Sequence, residues 1–483
     1  MSKVQYSNDP TGLYDYWKPD TGGEPMEEQP AAPAGMYMEG TVLKGKFFNM
    51  APATSVEVSD GSALVDGTRM FSSNTKITSF TGDLPNLMNG DYMFYSCSKL
   101  TSFSADLPNL ESGTYMFQSC TGLTSFSVEL PSLTDGTRMF DGCSKLTSFT
   151  GDLPNLTNGN YMFNSCYKLA SFTGDLSKLT DGSYMFQNSG LVSFIGDLPN
   201  LTNGENMFQG ASLTSWAVDL PSLTNGNGMF HNTGLTSFSG DLPKLTDGRS
   251  MFAPANLTSF SVELPNLTNG YNMFYGCSKL TSWTVDLPNL TKGSNMFSSC
   301  IGLTEWTVEL PNLTDGDYMF QKCTGLTSWT VELPNLESGT YMFQDCSGLS
   351  SFSSDLPNLT DGTYMFSGCS NLTSFYGDLS KLEGTKPTDG GYRMFYNCTS
   401  LTSFTSVLTN LKCGNQMFSG CKLDKDSVHR IAESIPSKPD GAAITFYILT
   451  LGIDKSLKDD ADVAADLETI KTTKKWSLTT QWK

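Results

Sequence analysis

The chain has 483 residues, with 49 Asp and Glu against 30 Lys and Arg and a formal net charge of -19. Such an acidic surface argues against nucleic acid or anionic membrane as a partner, since both need Lys and Arg to neutralise phosphate. The longest apolar run, near Ala442 to Ile453, is too short to span a bilayer, so no membrane insertion is expected.

Residues 1–45 do not repeat, and the stretch from Met1 to Pro10 lacks the apolar centre of a secretory leader, so Sec export is not expected. Tyr14, Tyr16 and Trp17 precede a Pro/Gly/Glu-rich run, Lys18 to Gly35, whose composition cannot build a core. The segment reads either as a disordered terminus or as an anchoring tail that orders on a partner through those three aromatics.

From residue 46 to 421 one unit recurs. The dipeptide Met-Phe returns with Phe at 71, 94, 117, 140, 163, 186, 208, 230, 252, 274, 297, 320, 343, 366, 395 and 418, with Phe47-Phe48 as an earlier degenerate copy. The steps are 22 or 23 residues, apart from one of 29 that carries an insertion around Glu383 to Gly390. A fixed period in this range means stacked coils, about 17 of them, none able to bury its apolar face alone. The insertion reads as a surface loop, tolerated or used for contact.

Within a coil the pattern is Met-Phe-x-x-Cys-x-x-Leu-Thr-Ser-Phe/Trp-x-x-Asp/Glu-Leu-Pro-x-Leu-x-x-Gly. Leu-Thr-Ser-Phe-x-x reads as a strand ended by Leu-Pro. The following Asn89-Gly90, Asp135-Gly136 or Asp315-Gly316 reads as a turn in which glycine takes positive φ. The Phe/Trp column, with Leu, Met and the second Phe, accounts for a core without any ligand. Eleven of the 12 cysteines lie three residues after the Met-Phe phenylalanine. They read as a reduced packing ladder rather than disulfides or metal ligands, because Cys-x-x-Cys is absent and histidines number only 2. The four coils from Phe186, Phe208, Phe230 and Phe252 lack this cysteine and are one residue shorter.

Two columns carry candidate chemistry. Asp83, Asp106, Glu129, Asp152 and their equivalents to Asp378 place a carboxylate on each coil, to be held by turn amides, left solvated, or bridged by Ca²⁺. Tyr92, Tyr115, Tyr161, Tyr184, Tyr318, Tyr341 and Tyr364, with Arg138 and Arg393 at equivalent positions, form the second. Each precedes a buried Met, so strand alternation turns it outward, where it shields the coil edge or binds sugar or protein. The Asn-Leu-Thr triplets at Asn155, Asn200 and Asn289 carry no glycosylation message, because the Leu is core. No catalytic set, phosphate loop or dinucleotide fingerprint is present, so neither catalysis nor a cofactor or metal is expected.

Residues 422–483 break the pattern. Helices over 424–435 and 456–470 and strands over 443–453 and 476–482 make a small α/β cap of the kind a solenoid needs at its end.

Met93-Phe94-Tyr-Ser-Cys97-Ser-Lys-Leu100 resembles the BspA-like leucine-rich repeat, whose period and aromatic-x-x-Cys-x-x-Leu signature it shares. Leu449-Thr-Leu-Gly-Ile-Asp and Lys475-Trp-Ser-Leu are similar to the ending attached to such repeats. The resemblance implies a mainly β, leucine-rich-repeat solenoid and a non-enzymatic role as adhesin, surface protein or virion fibre. With no leader seen, the sequence favours a bacteriophage virion structural protein. Residues 1–45 would join other virion proteins, and the rod would bind a host surface glycan or protein. The alternative is a bacterial cell-surface adhesin.

Overall fold

The computed structural model describes the chain from Tyr37 onward except residues 40–41, 45–53, 59–60, 63, 385, 387 and 443–445. Tyr14, Tyr16, Trp17 and the Phe47-Phe48 copy therefore lie outside the described residues. The chain divides into two units, one ending at Leu213 and one beginning at Thr214. Each is a stack of parallel coils, and the class is mainly β.

In the first unit a five-stranded sheet begins with Tyr37–Glu39 and Val42–Lys44, antiparallel to each other. Residues 37–39 and 42–44, within the expected tail, thus join the sheet. Val42–Lys44 runs parallel to Ser55–Val58, which leads to Ser79–Gly82 and Ser102–Ser104. Beyond it the strands shrink to two residues, Ser125–Phe126 and Ser148–Phe149, paired in parallel. The second unit has the same short pairs, in a run from Ser328–Trp329 to Ser403–Phe404. The strand read from Leu-Thr-Ser-Phe-x-x is thus shorter in hydrogen bonds than in pattern. Side chains still alternate past it: Ser282, Thr284 and Asp286 are exposed, while Trp283, Val285 and Leu287 are buried.

Most coil-to-coil bonds come instead from turns. Gly90, Tyr92, Phe94 and Ser96 donate their N–H groups to the carbonyls of Ser112, Thr114, Met116 and Gln118 on the next coil, at 2.7–2.9 Å. Met93 N–H closes back on Gly90 and Cys97 N–H on Phe94, so two reverse turns overlap this ladder. Polar side chains of the repeat add bonds to the preceding coil. Cys120 Sγ donates to the Phe94 carbonyl at 3.1 Å, Thr101 Oγ1 to Thr78, and Asn109 Nδ2 to Pro85. Every backbone group removed from water needs a partner, and a chain with so little sheet obtains it from turns and from side chains.

The core is two aromatic columns that interlock. Phe94 stacks on Phe117 at 5.3 Å and 2°, while Phe103 meets Phe117 edge-on at 4.8 Å and 74°. Parallel stacking along each column and edge-to-face packing between them are both favoured ring geometries, worth about 0.5–1.5 kcal/mol per pair beyond burial. Where Trp replaces Phe, its indole N–H finds a carbonyl in its own coil, as Trp283 does at Val285, 2.8 Å away.

The glycine after Asn or Asp has a different role from the expected one. Gly90, Gly136 and Gly316 do not have positive φ. A Cβ on Gly90 would lie 2.9 Å from Met116 Sδ and 3.2 Å from Leu110 Cδ1, so the next coil's Met occupies its place. The left-handed conformation falls two residues later, on the Tyr column.

At the end of the second unit the last coil becomes a ten-residue strand, Gly414–Leu423, which crosses the expected start of the cap. It pairs in parallel with Ile448–Ile453, which pairs with Ser477–Trp482. The helix Lys425–Ser434 starts at its Asp424 N-cap, whose side chain accepts the Ser427 N–H. The helix read over 456–470 is instead a 3₁₀ turn, Lys455–Leu457, and a separate helix, Ala461–Glu468. Asp460 caps the latter by accepting the N–H groups of Asp462 and Val463.

Candidate binding surface

One edge of each coil stack is lined by the Tyr column, and its local structure starts at the residue before the glycine. Asn89 Oδ1 accepts the Asp91 N–H at 2.9 Å, and Asp135 Oδ1 accepts the Thr137 N–H at 2.9 Å. These short-range turns deliver the chain to Tyr92 at φ 54°, Tyr115 at 58°, Tyr161 at 55° and Tyr184 at 59°. Tyr318, Tyr341 and Tyr364 repeat this at 59°, 58° and 55°. A bulky side chain in that region costs of order 1–3 kcal/mol, so the surroundings must hold it there. Strand alternation is therefore not what sets the direction of these rings. They are half-buried, at the third position of a turn.

The rings cover one another. Tyr92 and Tyr115 stack at 4.5 Å and 5°, Tyr161 and Tyr184 at 4.4 Å and 2°. Arg69 lies 4.9 Å over Tyr92, and Arg138 lies 5.7 Å from Tyr115 and 4.1 Å from Tyr161. The first unit thus carries one ladder in the order Arg69, Tyr92, Tyr115, Arg138, Tyr161, Tyr184. In the second unit Tyr318, Tyr341 and Tyr364 stack at 4.6 Å. Arg393 ends that ladder, donating from Nη1 to the Tyr364 hydroxyl at 2.7 Å and from Nε to Gln416 Oε1 at 2.6 Å. Tyr392 and Tyr396 lie 5.2 and 5.0 Å from its guanidinium. Interior ring faces are thereby used up, so the column cannot lay a sugar ring flat on each Tyr. It offers ring edges and hydroxyls. Burial, with the neighbouring ring second, holds the Tyr92 hydroxyl above its ordinary pKa, and burial does the same for Tyr184, Tyr318 and Tyr341. These phenols stay neutral donors.

Beside the first ladder runs a polar column that sequence reading missed. Asp141 is 7% exposed and accepts from Gln118 Nε2 at 2.7 Å, Asn164 Nδ2 at 2.8 Å and Arg138 Nη1 at 3.1 Å. The only signal for it was position: Gln118, Asp141 and Asn164 each directly follow a Met-Phe phenylalanine.

The acidic column from Asp83 to Glu332 and Asp355 is exposed, with Asp378 half-exposed. Glu129 Oε2 accepts the Asp152 N–H at 2.9 Å and Glu332 Oε2 the Asp355 N–H at 3.0 Å, so members of the column bond the next coil's amide. Among the described residues no group of three His, Cys, Asp or Glu is placed to hold a metal ion. The repeat cysteines are free and buried, and each donates to a phenylalanine carbonyl of the preceding coil, from 3.0 Å at Cys97 to 3.6 Å at Cys277. Burial pushes the Cys97 thiol up to about 12 and that of Cys277 to about 11. They are donors inside a core, not nucleophiles. Asn155, Asn200 and Asn289 spend their amides on carbonyls of Pro131, Ser177 and Pro265, which accounts for the sequon-like triplets. In the insertion, Gly384 and Gly390 do take positive φ and back onto each other, and Glu383 pairs with Lys412.

The model of the BspA type leucine-rich repeat region matches residues 41–147, 136–247, 245–373 and 384–438, well over half the chain. The chain belongs to the BspA-type leucine-rich-repeat family. Solved structures similar to this BspA-type chain include a leucine-rich repeat protein from Bacteroides ovatus. It is 21% identical, covers 78% of this chain and 99% of its own, and has a TM-score of 0.45. A leucine rich cell surface protein from Faecalibacterium prausnitzii is 17% identical over 84% and 94%, with a TM-score of 0.35. A leucine-rich repeat protein from Eubacterium ventriosum is 18% identical over 85% and 96%, with a TM-score of 0.30. No curated protein matches the chain in sequence. Among the described residues no helix is long and apolar enough to cross a membrane.

Proposed function

We propose that this BspA-type chain is a non-enzymatic, adhesin-type binding scaffold of a bacterial cell surface that grips a host protein along the Tyr-lined turn edge. The observation that carries the binding reading is the pre-ordered ladder, Arg69 to Tyr184, in which rigid aromatics are flanked by Gln118, Asn164 and Gln187. Tyr and Arg in a rigid setting with amide side chains around them are the composition that binding surfaces favour, because little entropy is lost on contact. The covered ring faces favour protein over a stacked glycan as the partner. The surface location rests on family membership. The virion fibre has no described residue behind it, since its expected anchor at Tyr14, Tyr16 and Trp17 lies outside them.

Two measurements test this. Mass spectrometry of washed envelopes and of density-purified phage particles should find the protein in envelopes, and peptides at fixed stoichiometry in particles would restore the virion reading. For binding, the quadruple variant Tyr92→Asn, Tyr115→Asn, Tyr161→Asn and Tyr184→Asn keeps a residue that the same chain accepts at Asn206, Asn272 and Asn295 with φ 52–58°. On arrays of host matrix proteins and glycans, the wild type should bind protein spots and the variant should lose more than tenfold in affinity. Equal binding by the two would overturn the assignment of the edge.

A further inference from the structure

The end of the second unit offers a different surface. The strand Ser477–Trp482 has a single neighbour in its sheet, Ile448–Ile453. Ser477 N–H donates to Tyr447 and Lys483 N–H to Ile453, both at 2.9 Å. In a parallel strand the N–H and C=O of one residue point to the same side and alternate along the chain. Ser477, Thr479, Gln481 and Lys483 therefore bond inward, and Leu478, Thr480 and Trp482 present their backbone N–H and C=O outward. No described residue bonds these outward groups.

Natural sheets blunt an open edge with charge, proline, a bulge or a very short strand. This strand has none of those devices. Its six residues, Ser-Leu-Thr-Thr-Gln-Trp, are uncharged, and Leu478, Thr480 and Trp482 are half-exposed on one face. The edge is also self-complementary. Laid antiparallel against itself about Thr480, it sets Thr480 opposite Thr480, and Leu478 opposite Trp482 at both ends. Each of these is a hydrogen-bonded pair that exchanges two backbone bonds, and the Thr–Thr and aliphatic–aromatic contacts are favourable cross-strand pairs. Lys483 falls opposite Ser477, so no like charges face each other.

We propose that the strand Ser477–Trp482 pairs with the same strand of a second copy, forming a two-fold symmetric dimer through a continuous sheet. Six residues a side make a small interface, so the dimer is a reversible one that forms in the micromolar range. Sedimentation equilibrium of the full chain over tens of micromolar should give twice the chain mass. Thr480→Pro removes an outward N–H and no internal bond, and should shift the dimerisation midpoint more than tenfold with unchanged melting. Thr480→Val keeps the N–H and should dimerise like the wild type. A wild type that stays monomeric, or a Thr480→Pro variant that dimerises normally, overturns the proposal. If that variant misfolds, hydrogen exchange on the wild type decides: amides of Leu478, Thr480 and Trp482 should gain protection as concentration rises. Fast exchange at every concentration would sink the idea.

Discussion

The coils that carry cysteine and the four short coils that lack it reach the same backbone path by different bonds. In the first kind, Cys97, Cys120, Cys143 and Cys166 each fill a buried site and cap a phenylalanine carbonyl of the preceding coil. In the second, Ser189, Ala211, Thr233 and Ala255 occupy that buried site, and one residue is missing before the next Leu. Thr233 turns its hydroxyl onto its own coil's Phe230 carbonyl, and the buried Ser189 hydroxyl has no partner among the described residues. The left-handed column changes nearby, from Tyr and Arg to Asn206, Gly228 and Ser250. Asn and Gly enter that conformation at little cost, whereas Tyr needs a ring or a guanidinium to lie on. One strained position thus has two solutions, an intrinsic one and a cooperative one.

Alkaline pH should separate the two kinds most strongly. Burial raises the Cys97 and Cys277 thiols to about 12 and 11, above the value near 8.5 of an unfolded thiol. The folded chain therefore keeps a proton that the unfolded chain releases. Stability is whole below about pH 8.5 and falls as pH rises, by roughly 1.4 kcal/mol per pH unit for each thiol whose coil opens. Hydrogen exchange at pH 7 and pH 10, corrected for intrinsic rates, should show residues 94–166 losing far more protection than 189–211.

Gly90→Ala and Gly226→Ala should cost alike, about 1–3 kcal/mol each, because a Cβ meets the next coil's Met Sδ at 2.9 and 3.0 Å in the two kinds of coil. Unequal losses in chemical denaturation would mean that the short coils relax differently. The cysteine site itself should show opposite signs. Cys143→Ala removes a packed sulfur and a carbonyl cap and should lose about 1–2 kcal/mol. Ser189→Ala removes an unpartnered buried hydroxyl and should gain about 1 kcal/mol. Smallest is Tyr115→Asn, within about 1 kcal/mol of wild type by thermal melting, since the lost stack offsets the relieved backbone. Tyr115→Ala loses the stack and keeps the strain, so it should be the worse of the pair.

Much of this was legible in the residues. The Met-Phe period announced the stack, and the missing Cys marked the four short coils. Asp424 and the spacing of Val428, Ile431 and Ile435 announced the helix Lys425–Ser434. The candidate surface was legible only as a column. Tyr92 and Tyr115 could be aligned by period, but their stacking at 4.5 Å and the loss of free ring faces depend on the distance between coils.

By itself the sequence determined which side chains recur in which column, and hence the repeat, its core and its family. Composition and period are local and one-dimensional properties, so they survive without coordinates. Tertiary structure alone decided where the positive φ falls. Gly90 lacks a side chain because Met116 of the next coil needs the room, and Tyr92 bears the strain because Tyr115 and Arg69 lie on either face of its ring. Both reasons reside in a neighbouring coil 23 to 26 residues away in the chain, and no short stretch of sequence contains them.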